Sequence, residues 1–176
     1  MIKNNKTVED TYSTKAIVDS ISSSVQMKQV MVQQTPGRYM LKSMMAGFLL
    51  SIVTVFMFGI KTQFASTHVD GLINLMGAIA FSLGLVLVVL TNSELLTSNF
   101  MYFTVGWYYK VVSLNKMMWI LLYCFLGNIL GGFVLFFLMK YAHVMTPEMT
   151  QALTALVQKK NSRFDLVEYF YKRYFL

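Results

Sequence analysis

Thr91-Asn92-Ser93-Glu94-Leu95-Leu96-Thr97-Ser98-Asn99 concentrates hydroxyls, amides and one carboxylate between two strongly apolar runs. A helix that restarts within this stretch, at Thr97 or Ser98, would leave backbone N–H groups unpaired at its first turn. Together these act like about half a positive charge, which suits an anion. Ser93, Thr97, Ser98 and Asn99 are candidates to cap the restart or to offer hydrogen bonds. Glu94 is costly at membrane depth, on the order of 2.5–3.5 kcal/mol, and facing an anion route it would repel the ion. Its expected role is structural, accepting hydrogen bonds from loop N–H groups. An ordinary loop outside the membrane, followed by an interfacial helix, is the alternative reading of these residues.

The elements that must position this motif are membrane-spanning. Of 176 residues, 56% are hydrophobic and 13% charged, against about 25% charged in a soluble domain. Between Ser43 and Tyr109 the only formal charges are Lys61, Asp70 and Glu94, so no charged exterior face is available there. Basic residues flank the apolar runs, giving a net charge of +7 that suits anionic lipid headgroups rather than nucleic acid. Cys124 is the single cysteine, lying in an apolar run. It supports neither a disulfide framework nor a metal site, and no cofactor or enzyme constellation accompanies it.

Three spans are expected: 39–60, a broken segment over 71–109, and 117–139. The first, as a helix of about 33 Å, covers a hydrocarbon core of about 30 Å, with Lys42 and Lys61 placed to snorkel. The second is too long for one straight crossing and too short for two crossings and a turn. It ends on Trp107-Tyr108-Tyr109-Lys110, an interfacial signature. In the third, Gly127 and Gly131 form a small-xxx-small pair, and Asn128 between them needs a partner within protein. Residues 1–38 form an N-terminal segment, with 1–11 read as disordered and 14–32 as a short amphipathic helix on the membrane surface or a partly ordered tail. Residues 143–176 are a tail that approaches a fourth span. Basic residues at Lys3, Lys6, Lys15, Lys28 and Arg38, with Lys110 and Lys116, put the N terminus in the cytoplasm of a multi-pass cell-membrane protein. The basic tail, with Lys159, Lys160, Arg163, Lys172 and Arg173, then falls on the wrong side for that bias.

Phe81-Ser82-Leu83-Gly84-Leu85, followed at fixed spacing by Glu94-Leu95-Leu96-Thr97-Ser98-Asn99, resembles the formate/nitrite transporter family. Gly127-Asn128 with Gly131 is similar to that family's third-helix pattern, and the likeness runs from about Lys28 to Val167. The resemblance implies an all-α, inverted-repeat, aquaporin-like channel fold, of which this chain matches one half. It implies pentamers of six-helix protomers passing small monovalent anions such as formate and nitrite. Phe81 matches the outer constriction, Leu85 and Leu95 the inner apolar constriction, and Leu96 stands where Phe is usual. Thr97 matches the loop threonine that faces a histidine from a later helix, and Lys159 a vestibule lysine. Two apolar constrictions around a polar pocket favour an anion that can be neutralised by protonation. Asn92 stands where the family usually has Gly. Neither His68 nor His143 lies where the central histidine would be.

The resulting expectation is a formate- or nitrite-type anion transporter cut short after its first half and inactive alone. The alternatives are a half-transporter completed by a second chain, and a non-transporting membrane protein that associates with full-length relatives.

Overall fold

The computed structural model describes residues 3–64 and 70–143, with a few positions between 146 and 158. The expectations for His68, Lys159 and the basic tail beyond it lie outside the described residues. Five helices follow in order: α1 (Lys3–Gln34), α2 (Pro36–Gln63), α3 (Asp70–Leu90), α4 (Leu96–Tyr108) and α5 (Leu114–Tyr141). Three of them, α2, α3 and α5, are long and apolar enough to cross a membrane. The described residues therefore form an all-α, multi-pass membrane protein.

Helix ends follow local chemistry. Pro36 opens α2, where its fixed φ is already helical and its missing N–H costs nothing. Only Thr35 separates α2 from α1, and its carbonyl accepts the Tyr39 N–H at 3.2 Å. At the end of α3, Asn92 takes a left-handed φ of 50°. There the Asn92 N–H reaches the Val89 carbonyl at 3.0 Å and the Ser93 N–H reaches that of Val88 at 3.0 Å, closing the helix in a Schellman motif. Asn tolerates this conformation better than other residues with a Cβ, so the left-handed turn is open to it. The same motif ends α4 at Lys110, φ 59°, with Val111 N–H on the Gly106 carbonyl at 2.8 Å.

The N-terminal segment differs from the sequence expectation. Residues 3–34 form one helix of 32 residues, so residues from Lys3 onward that read as disordered are helical. The serines at 22–24 do not end it. Ser23 and Ser24 turn their hydroxyls back to the Ser20 carbonyl at 2.8 and 2.9 Å, satisfying themselves within the helix. Nor is α1 simply a surface helix: it packs on α4. Val25, fully buried, sits against Gly106, where an added Cβ would lie 3.0 Å from the Val25 methyls.

The chain divides into two compact units. The first comprises Met1–Leu50 and Val86–Val134. Its core is Val25, Tyr39, Phe103, Val112, Ile120, Leu121 and Cys124, with a second cluster of Ala46, Val88 and Leu95. Here α2 and α5 approach so closely that a Cβ on Gly47 would overlap the Asn128 carbonyl, and one on Gly131 that of Met44. Gly127 is equally confined, by Ser43. The second unit comprises Ser51–Leu85 and Leu135–Leu176. Within it Gly84 seats Val53, whose side chain lies 3.0–3.1 Å from the position of a Cβ, and Gly77 seats the stem of Lys61. The Lys61 ammonium reaches the Asn74 amide oxygen at 3.4 Å.

Candidate functional site: the break between α3 and α4

The break lies between Leu90 and Leu96. The restart falls at Leu96, one residue ahead of the expected Thr97, and the capping differs more. Leu95 occupies the N-cap position with extended backbone and no side-chain cap bond. None of Ser93, Thr97, Ser98 or Asn99 caps the helix. Ser98 bonds back to the Leu95 carbonyl at 3.2 Å, and Ser93 pairs with Thr91 at 2.7 Å. The cap comes from another helix: the Asn128 amide oxygen, on α5, accepts the Leu96 N–H at 3.2 Å.

Asn128 uses its remaining hydrogen-bonding capacity on the same break. Its amide nitrogen donates to the Glu94 carbonyl at 2.9 Å and to the Ser43 carbonyl at 3.0 Å. The Glu94 N–H donates to the Lys42 carbonyl of α2 at 3.1 Å. Both backbone groups of Glu94 are thus held by neighbouring helices. These bonds fix the break against α2 and α5.

The Glu94 carboxylate has a different partner from the one expected. It is buried, with 4% of its side chain exposed, and pairs with the Lys28 ammonium of α1 rather than with loop N–H groups. Lys28, 15% exposed at its side chain, also lies 5.4 Å from the Tyr102 ring centroid, a cation–π distance. The pair removes the net negative charge that would otherwise stand beside the break.

Asn99 is fully buried one turn into α4. Its amide nitrogen donates to the Tyr39 hydroxyl at 3.0 Å and to Cys124 Sγ at 3.2 Å, and the Cys124 thiol donates to the Glu94 carbonyl at 3.3 Å. Lys28, Tyr39, Ser43 and Cys124 were not singled out from sequence as members of the site. Two of them carried a signal: Cys124 stands one helical turn before Asn128, and Tyr39 one turn before Ser43, so each pair shares a helix face.

The other expected residues fall in different surroundings. Leu95 is buried among Ala46, Val88, Leu49 and Leu50, and Leu96 packs half-buried against the core around Val25. Thr97 is exposed and Ser98 half-buried. In the second unit Phe81 and Leu85, one turn apart on α3, are 38% and 45% exposed. They stand beside the face that packs through Gly77, Ala80 and Gly84. His143 is exposed, with its Nδ1 3.0 Å from the Tyr141 carbonyl oxygen.

The model of the formate/nitrite transporter family matches residues 15–173. That covers nearly the whole chain. The chain belongs to the formate/nitrite transporter family. Members of this family are membrane transporters and channels, not enzymes. Among solved structures, an "FNT family ion channel" is similar at a TM-score of 0.68 and 21% identity, over 73% of this chain and 50% of that one. The likeness shows a shared helical fold typical of one half of such a channel, and the chain spans half the length of that relative. No curated protein matches.

Proposed function

We propose that this chain of the formate/nitrite transporter family builds one wall of a passage for small monovalent anions, formate and nitrite being the types concerned. The observation that carries the reading is the start of α4. Asn128 satisfies the N–H of Leu96, while those of Thr97 and Ser98 have no intrahelical acceptor and the Thr97 side chain is exposed. Two N–H dipoles and a hydroxyl are thereby left for a ligand, and the helix start favours negative charge. The Lys28 pairing of Glu94 keeps the adjacent carboxylate from opposing it.

On this reading the exposed Phe81 and Leu85 form apolar constrictions. Leu95 and Leu96 form the apolar edge of the break, and Lys159 draws anions toward the mouth. Charge is expensive in such narrows, so the anion crosses best when it is briefly protonated. The N terminus is cytoplasmic, and the working form is an oligomer, a pentamer by family resemblance.

The described residues contribute one interrupted helix, and flux requires a second half from further chain or from a partner. The test is uptake of labelled formate into proteoliposomes. The 176-residue chain alone should match empty liposomes, and the chain reconstituted with a second-half polypeptide of the family should give saturable uptake. Saturable uptake by the chain alone would overturn the requirement for a second half. No uptake with any second half, despite co-purification, would overturn the transport reading and favour a non-transporting partner of full-length relatives.

A further inference from the structure

Between α1 and the first turns of α5, within the first unit, lies an open cleft of about 210 Å³. Gln29 and Val32 of α1 face Lys116, Trp119 and Ile120 of α5 across it, and almost all the atoms that line it are apolar. Ile120 closes the cleft as a buried side chain, whereas Trp119 is 71% exposed. Among the described residues no carboxylate pairs with Lys116.

The position of the cleft along α5 constrains what fills it. Lys116 and Trp119 belong to the first two turns of a membrane-crossing helix. They therefore stand at the headgroup level, where amphipathic rings and snorkelling lysines gather. The occupant must be apolar where it meets Ile120 and Val32 and must carry an acceptor where it meets Lys116. Charge decides its sign. Between residues 14 and 143 eight basic residues stand against three acids, Asp19, Asp70 and Glu94, and Glu94 is already paired with Lys28. Among the described residues Lys116 is the one charged residue that lines the cleft, and a lysine over an apolar floor at this depth is an arrangement that holds an anionic lipid.

We infer that this cleft binds an anionic phospholipid, its acyl chain along Val32 and Ile120 and its phosphate at Lys116. The site is independent of the transport reading, since it uses neither the break nor the apolar constrictions.

Trp107 and Trp119 are the two tryptophans of the chain, so W107F leaves Trp119 as the sole reporter and W119F leaves Trp107. The W107F protein is reconstituted in mixed phosphatidylglycerol and phosphatidylcholine vesicles with bromine on the acyl chains of one lipid or the other. Brominated phosphatidylglycerol should quench Trp119 as though enriched about fivefold over its bulk fraction, the preference that one lysine near the surface provides. K116Q should remove the preference, and Trp107 in W119F should show none. Equal quenching by the two brominated lipids would overturn the inference. So would Trp119 emission that neither lipid quenches, the result expected if a second copy of the chain or its own C-terminal segment fills the cleft. Lys116 is exposed at the start of α5, so K116Q is not expected to unfold the protein. V32F, which fills the cleft from the other wall without adding a tryptophan, supplies the second variant: it should abolish the preference with Lys116 still in place.

Discussion

Asn128 is the side chain on which the break depends. It hydrogen-bonds one N–H and two carbonyls on two other segments. The Glu94 carbonyl also accepts from Cys124 and the Ser43 carbonyl lies within α2, so the Leu96 N–H is the group that depends on Asn128 alone. Interhelical hydrogen bonds in membranes are modest on average, about 0.6 kcal/mol. A residue whose loss leaves the Leu96 N–H unpaired should cost more, since an unsatisfied buried group costs about 1–3 kcal/mol. N128L keeps the volume and removes the bonds, and should destabilise the purified protein by about 1–3 kcal/mol in detergent unfolding. A loss within the average for a single interhelical bond would show that the break holds itself open. Lys28 and Glu94 pose a related question. Removing one partner of a buried ion pair costs about 3–5 kcal/mol, mostly from the charge left behind. K28M should therefore be more damaging than the double variant K28M/E94Q. If the double variant is the worse of the two, the pair is not what holds Glu94.

At the scale of elements, α1 is tied to the channel-like part by Val25 on Gly106 and by Lys28 on Glu94. The first contact depends on the absence of a side chain. G106L would push α1 away, and overpacking of this kind costs about 1–3 kcal/mol. Opening by that much exposes Lys28, so trypsin should cut there about tenfold faster or more than in the unaltered protein, as expected when cleavage follows the open population. An unchanged rate would mean that α1 is held elsewhere. The approach of α2 to α5 follows the same logic through Gly47, Gly127 and Gly131. This closeness is what brings Asn128 within reach of Ser43 and Glu94, so small residues far apart in sequence set the geometry of the break.

At the scale of the molecule, the proposed anion passage limits what the chain does alone. One interrupted helix offers N–H dipoles from one side, and an anion in apolar surroundings needs compensation on more than one side. Formate uptake should therefore rise with added second-half polypeptide and level off once every copy of this chain has a partner. A level set by this chain alone, without dependence on the partner, would place the passage elsewhere.

Much of this was legible in order of chain. The apolar runs mark α2, α3 and α5 because a span must satisfy its backbone internally and present carbon to lipid. The polar insert marks the break for the converse reason. The sequence also placed Asn128 beside two glycines and so required a partner for it. It did not name that partner. Hydrogen-bond partners at the break are separated by 25 to 85 residues, and no local pattern carries information over such distances. For the same reason the cap of α4 and the partner of the Glu94 carboxylate were expected from nearby loop groups, whereas tertiary packing supplied them from α5 and α1. The extent of α1 was hidden because its polar, serine-containing stretch has weak helix propensity, and a helix packed on a neighbour is not decided by propensity. The sequence by itself thus determined that a polar insert at 91–99 divides two apolar runs, and the helices stop and restart within it, between Leu90 and Leu96. Only the tertiary structure decided which side chains hold the interruption open, because their contacts exist only once the helices have packed.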